Sequence, residues 1–466
     1  MSSMPKKQRK LSRKHVNAKD QFQLPPELLQ RIALFIPDTN KFFAYLEAFH
    51  QEEGVLGNLQ HLWALSTGGA ERDRLWPSLR VDSGDVNNFK ALYMPILANY
   101  PIVHVFKVFD LEFLERASES SSIAISGFPE EDSDITTLPL DAWYRTLPAL
   151  RISDVTYHNM ERHAAMDHLL TVLPHMPHLR ALNLTCACVP SISALIDFVV
   201  SSKLTSINFT ATNEHSSRTD AVITAAIDIP LTKWLEREPV VSVALGNWDL
   251  RGATTFFAAL WSSKTLKELV LPHAKLPPLD SMSFGVAPIS ISHINLNATY
   301  DGWHLRPEDV LALAHGIAHS TCLHILSLGC NHIGPVVVKE IMHAIVQSNV
   351  CKLNLGGNDL DDVGCIVVAK GLSLTKLTNL DMRSNRITGV GALELAAALA
   401  AFPQLRNLSL AFNNIDSSGV AAVIETMGSH SGPATLDVFQ SVGDPNRASL
   451  PAVAARFPQL EVMFRW

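Results

Sequence analysis

The sequence predicts an α/β solenoid, a horseshoe with parallel strands inside, helices outside and a small helical cap at its N-terminal end. Three observations carry that expectation. The first is self-similarity. LHILSLGCNHI, VCKLNLGGNDL, LTNLDMRSNRI and LRNLSLAFNNI follow one another from Leu323, each of the form apolar-x-x-Leu-x-apolar-x-x-Asn-x-apolar. Asn331, Asn358, Asn385 and Asn413 are spaced 27, 27 and 28 residues apart, and a further step of 28 reaches Ser441, behind Leu436 and Val438. A fixed period of this length marks a stacked-repeat architecture. The second observation is a change of periodicity inside each copy. Apolar residues two apart mark a strand with one buried face. Beyond Gly364, Gly391 and Gly419 the spacing becomes helical: Ala392, Leu393, Leu395, Ala396 and Leu399 share a face, and Pro403 stops the run. The third is the asparagine itself, whose amide offers donors and an acceptor to backbone groups where the chain leaves the strand. Such a unit cannot bury its apolar face alone, and stacking supplies the continuous core.

These copies resemble leucine-rich repeats of the ribonuclease-inhibitor type, which have long units and true α-helices. The strong resemblance runs from Leu323 to about Ser441. Weaker copies without the Asn precede it: Leu147-x-x-Leu150-x-Ile152, Leu179-x-x-Leu182-x-Leu184, Leu204-x-x-Ile207-x-Phe209, Val240-x-x-Val243-x-Leu245, Leu266-x-x-Leu269-x-Leu271 and Ile291-x-x-Ile294-x-Leu296. The solenoid is therefore expected over 147–466, with FPQLEVMFRW capping the last strand. Early degenerate repeats are expected over 82–146, interrupted at 117–136 by a mobile Ser-rich and acidic insertion.

The N-terminal part differs. Residues 1–20 hold Lys6, Lys7, Arg9, Lys10, Arg13, Lys14 and Lys19 with few apolar residues and are expected to be disordered. This tail reads equally as an import signal, a nonspecific anionic contact or a solubilising segment. Residues 21–81 open with LPPELLQRIALFIPD. Pro25 and Pro26 set a helix start with Glu27 in its first turn. Leu28, Leu29, Ile32, Phe35 and Ile36 follow at helical spacing up to Pro37. This segment resembles an F-box: Leu24, Pro25, Glu27, Leu28, Leu29, Ile32 and Pro37 stand where that family has Leu-Pro, Glu-(Ile/Leu)-Leu, a further apolar residue and a Pro before a second helix. The Val-Cys-x-x-Trp of the family's third helix is absent, and Trp76 is the nearest counterpart of its Trp. The resemblance implies docking of Leu24, Pro25, Leu28, Leu29 and Ile32 onto the Skp-type adaptor of a cullin–RING ubiquitin ligase, with the repeats holding a substrate. A cap over the open end of the solenoid is the other use of the same helices, and the two are compatible.

Composition narrows the function classes. The chain has 38 Lys and Arg against 45 Asp and Glu, a net charge of −7, which argues against a nucleic-acid partner. No apolar run is long enough to span a membrane, and Met1 to Lys19 lacks the apolar stretch of a secretory signal. Six cysteines in 466 residues do not make a disulfide framework and fit a reducing, cytoplasmic or nuclear setting; those within the repeats are expected to pack as small buried residues. No phosphate-binding GxxxxGK[ST] or nucleophile GxSxG occurs. His315 and His319 have ligand spacing on one helix face but no third ligand, His158, His163, His168, His175 and His178 cluster without metal spacing, and Cys186-x-Cys188 lacks a second pair.

No enzyme activity, cofactor, metal or small-molecule ligand is expected, and the partner is expected to be a protein. Its candidate contacts are the side chains that flank the buried strand leucines: Asn295, Lys352, Asn354, Asn379, Asp381, Arg383, Asn407, Ser409 and Asp437, with His293 and Asn297 beside them. The leading reading is an F-box-like substrate receptor. The alternatives are a GTPase activator of the Ran type, a class built from the same repeats that usually carries an acidic C-terminal run absent here, and a plain repeat scaffold.

Overall fold

The structure is a computed structural model. It describes residues 24–130, 138–159, 164–186, 192–211, 221–222, 225–281, 289–299, 302–318, 320–443 and 445–464. The basic tail at 1–20, His163, Cys188 and His319 lie outside the described residues. The chain divides into two compact units, 1–124 and 125–466.

The first unit begins with short helices α1 (Pro26–Leu34), α2 (Thr39–Phe49), α3 (Leu59–Thr67) and α4 (Arg72–Leu75). Pro25 and Pro26 start α1 as expected. Asp38 caps α2 by accepting the Lys41 N–H at 2.8 Å. Phe42, Phe43, Leu46, Leu62, Leu65 and Leu75 are fully buried between the helices. Trp76 locks them together. Its ring stacks on Phe42 at 4.1 Å and 7°, and its Nε1 donates to the Ile36 carbonyl at 2.7 Å. Strand–helix alternation then starts with Leu79–Asp82, earlier than residue 82, and this strand pairs in parallel with Ile102–Phe106, Leu79 opposite Val103.

The expected insertion at 117–136 is corrected in its described part. Residues 111–120 form a helix, Leu111–Ser120, and Ser122–Ser126 is a strand with Ile123 and Ile125 buried. Ser122, Ala124 and Ser126 alternate with the two isoleucines, so a Ser-rich surrounding conceals a half-buried strand. Residues 131–137 are not among those described.

The second unit is an open α/β solenoid of parallel strands alternating with helices. Leu182, Ile207, Val243, Leu269, Ile294, Leu326, Leu353, Leu380, Leu408 and Leu436 stand opposite one another in consecutive strands. Five of the six weaker copies thus lie in the expected frame. The copy at Leu147 does not. Asp154–Asn159 pairs with Ala181–Cys186 so that Val155 and Tyr157 stand opposite Leu182 and Leu184, while Leu147 lies in the turn before the strand. The C-terminal segment forms the strand Leu460–Met463 and pairs with Ala434–Asp437.

The asparagines are the internal frame of this unit. Asn331, Asn358, Asn385 and Asn413 are all buried. The Asn331 amide donates to the carbonyls of Leu296 and Leu328 at 2.9 and 3.1 Å, and the backbone N–H of Asn331 donates to the Asn358 side chain at 2.9 Å. Asn358 is bonded in the same manner to Asn385, at 3.0 Å. Each amide therefore joins the strand exit of its own repeat to that of the repeat before it. The residue preceding each Asn, Cys330, Gly357, Ser384 and Phe412, has a left-handed backbone, as Gln440 does before Ser441. Helix starts are also held between repeats. Asp362 accepts the N–H groups of Thr388 and Gly391 at 2.8 and 2.9 Å, and Asp228 accepts those of Phe256 and Thr255 at 2.6 and 3.1 Å. The repeat cysteines differ from expectation: Cys365 is buried, whereas Cys322, Cys330 and Cys351 are half-buried.

Candidate protein-binding surfaces

Two surfaces, one in each unit, present side chains that the core does not use. In the second unit the strand face carries two rows, because a strand of alternating pattern points every second residue away from the core. One row runs Ser242, Glu268, His293, Ile325, Lys352, Asn379, Asn407 and Thr435; the other runs Ala244, Val270, Asn295, Ser327, Asn354, Asp381, Ser409 and Asp437. A cleft of about 430 Å³ lies over the C-terminal part of this face. Lys352, Asn354, Asn379, Asp381, Arg383, Asn407, Ser409 and Asp437 all line it, as do Ile325, Ser327, Thr435 and Met463. Asn295 lies outside it, at the same register position farther along the sheet. Ile325, Ser327 and Thr435 flank their strand leucines as the named candidates do, so the same alternation rule locates them.

The two rows differ in freedom. Side chains of the second row are largely committed to the turn that follows each strand. Asn295 accepts the Asn297 N–H at 3.0 Å, Asn354 the Gly356 N–H at 2.8 Å, Asp381 the Arg383 N–H at 3.0 Å and Asp437 the Phe439 N–H at 3.1 Å. Arg383 further forks onto Asp381, Nε to Oδ2 at 2.7 Å and Nη2 to Oδ2 at 2.6 Å. That carboxylate raises the guanidinium pKa above its ordinary value. Ser409 donates to Asp437 at 3.1 Å. In the first row Glu268 bridges Ser242 at 2.9 Å and His293 Nδ1 at 2.9 Å. Lys352, Asn407 and Thr435 are available to a visiting chain.

In the first unit, α1 exposes apolar side chains. Leu24, Leu28, Ile32 and Phe35 are exposed, Phe35 at 81%. Leu28, Ile32 and Phe35 recur at four- and three-residue steps and so share one helix face. Leu29 is placed otherwise. At 8% exposure it turns inward with Ala33 and belongs to the bundle core.

No group of three or more His, Cys, Asp or Glu that could hold a metal ion occurs among the described residues, and no described helix is long and apolar enough to cross a membrane.

The leucine-rich-repeat family model matches residues 319–341, 348–369 and 373–396. The same kind of sequence occurs in NACHT, LRR and PYD domains-containing protein 5 of Homo sapiens, 29% identical over 130 residues, and in protein 12 of that series from Mus musculus, 30% identical over 120 residues. These matches cover 27% and 25% of this chain and 11% of each relative, so the chain spans about a tenth of their length. Among solved structures, a chain of the Rad7 and Elc1 complex in yeast is similar over 94% of this chain and 93% of its own, at 16% identity and a TM-score of 0.44. An internalin, inlF, from Listeria monocytogenes is similar over 73% of this chain and 96% of its own, at 14% identity and a TM-score of 0.35. The chain carries leucine-rich repeats.

Proposed function

We propose that this leucine-rich-repeat chain is a substrate receptor of the F-box-like kind, working in the cytoplasm or nucleus. The exposed face of α1 docks onto the Skp-type adaptor of a cullin–RING ubiquitin ligase, and the strand face of the second unit holds a target protein. On this reading the chain performs no chemistry of its own; ubiquitin transfer belongs to other subunits.

The observation that supports this reading most is the row of Leu24, Leu28, Ile32 and Phe35 on the outside of a helix whose opposite side already fills a core. Contiguous exposed apolar side chains on a small bundle mark an interaction site. Full burial of an exposed side chain of this size contributes about 1.5–3 kcal/mol; Phe35 retains most of that gain for a partner, and Leu24, Leu28 and Ile32 less than half. The motif residues Leu24, Leu28 and Ile32 fall within that row. Leu29 supports the face from beneath and is not a contact residue.

Calorimetric titration of the full chain with recombinant Skp-type adaptor tests the proposal. Wild type binds, whereas Leu28→Asp and Phe35→Asp abolish binding and leave the melting temperature unchanged. Leu29→Asp lowers the melting temperature instead, because it places a charge in the bundle core. If wild type does not bind, α1 is not an adaptor site.

A further inference from the structure

The edge of the second unit where helices hand over to strands carries positive charge through consecutive repeats. Arg151, Arg180, Lys203, Arg237, Lys264 and Lys267 are all exposed there. Arg151 directly precedes the strand Ile152–Asn159, Arg180 precedes Ala181–Cys186, Lys203 precedes Ser206–Ala211, and Lys264 and Lys267 precede Glu268–Val270. The backbone fixes their alignment. Arg180 N–H bonds to Ser153 O at 2.7 Å, Thr205 N–H to Arg180 O at 2.8 Å, Val241 N–H to Thr205 O at 2.8 Å and Lys267 N–H to Val241 O at 2.8 Å. Arg180, Thr205, Val241 and Lys267 therefore stand in one row. At the usual strand spacing the row from Arg180 to Lys267 is about 15 Å long.

The free charge of this edge lies on its lysines. Among the described residues no carboxylate pairs with Lys203, Lys264 or Lys267. Of the acids in the turns of these repeats, Glu238 is taken by Arg237 at 2.8 Å. Glu268, next to Lys267, is turned onto the strand face and held by Ser242 and His293. Helix C-termini favour cations, and that accounts for Arg237, in the last turn of its helix. Lys203, Lys264 and Lys267 sit in turns beyond the helix ends and have no such role. The local charge also opposes the chain's net charge of −7, so a polyanion that the chain as a whole repels meets local attraction here.

We propose that this edge binds an acidic, extended peptide segment of a partner protein. About five extended residues span the row from Arg180 to Lys267. Val241, exposed between the cations, offers an apolar contact to such a segment. A nucleic-acid strand fits less well: among the described residues the exposed large apolar side chains between 151 and 267 are Val222, Ile229 and Val241, and none is an aromatic on which a base could stack. The site is separate from α1 and does not depend on adaptor docking.

Fluorescence anisotropy of a labelled Glu/Asp-rich peptide with the full chain tests the assignment. Wild type binds at low salt, and binding weakens as ionic strength rises toward about 0.3 M. The triple variant Lys203→Glu, Lys264→Glu, Lys267→Glu weakens binding about tenfold or more, with an unchanged circular-dichroism melt because all three side chains are exposed. The pair Lys339→Glu, Lys370→Glu, exposed on helices elsewhere in the unit, leaves binding unchanged. Absence of wild-type binding at low salt overturns the proposal, as does an equal loss in the Lys339 and Lys370 variant. Tighter binding of a labelled single-stranded RNA than of the peptide overturns it in favour of a nucleic-acid edge.

Discussion

Replacing Asn385 with alanine tests the buried-asparagine frame directly. Its amide donates to the carbonyls of Leu355, Met382 and Arg383 at 3.1, 2.9 and 3.2 Å, and its oxygen accepts the backbone N–H groups of Asn358 and Leu360, both at 3.0 Å. Asn385→Ala removes all of these at once. The two N–H groups are then stranded in the interior, at about 1–3 kcal/mol each. Water entering the vacated space recovers part of the loss on the carbonyl side, so the expected destabilisation is about 3–5 kcal/mol. Asn354→Ala is the comparator. Its oxygen accepts a single bond, from Gly356 N–H, at a half-buried site, and it should cost under about 1 kcal/mol. Urea unfolding followed by circular dichroism gives the difference in stability. Hydrogen exchange adds a local readout, since the amides of Asn358 and Leu360 lose protection in Asn385→Ala alone. Equal midpoints for the two variants, or retained protection at Asn358 and Leu360, would refute the inter-repeat role of the amide.

Two further outcomes follow from burial. His430 is buried, its Nε2 lies 3.0 Å from the Leu399 carbonyl, and burial lowers its pKa below the ordinary 6.5. The folded state therefore disfavours the charged ring, so His430 leaves stability intact above about pH 6.5 and erodes it as pH falls through that unfolded-state value. His430→Gln should flatten the dependence of the unfolding midpoint between about pH 7 and pH 5, and an unaltered slope would exclude His430 as its source. The Cys365 thiol is buried and its pKa is pushed up to about 12, so alkylation of the native chain near neutral pH should spare it while labelling Cys351; mass spectrometry of the digested protein distinguishes the two, and equal labelling would contradict the burial of Cys365.

The strong repeats were legible because strand period, asparagine and helix face all demand the same frame over Leu323 to Ser441. Where those signals part, the reading weakens. Leu147-x-x-Leu150-x-Ile152 and Ile152-x-x-Val155-x-Tyr157 satisfy one apolar pattern, and the pairing of Val155 with Leu182 selects the second. No spacing rule distinguishes them without the neighbouring strand. The strand Ser122–Ser126 is masked in the sequence by the serines at 118 and 120–122 that lead into it, although its two isoleucines alternate correctly. The helix α1 posed the opposite difficulty. Apart from Leu34, its apolar residues form one broad face opposite Glu27, Gln30 and Arg31, and such a face ordinarily packs inward as a whole. The structure sends Leu29 and Ala33 inward and leaves Leu28, Ile32 and Phe35 outside. Sequence alone offers Leu28 and Leu29 as equals, and only the bundle that packs on one side separates them.

The strand face shows the same separation at the level of function. Alternation predicts which residues leave the core, but it does not say which of them the fold employs afterwards. Asn295, Asn354, Asp381 and Asp437 recur at one position because each accepts an N–H two residues on and shapes the strand exit. Their polarity is explained by the turn before any partner is considered. Substituting them disturbs the scaffold as well as the surface, so a loss of binding there is ambiguous. Lys352, Asn407 and Thr435 occupy the other row and leave the strand-exit bonds to their neighbours. A partner recognised by this face must discriminate through that row, and substitutions at Lys352 and Asn407 are the ones whose effect on binding reports recognition and not folding.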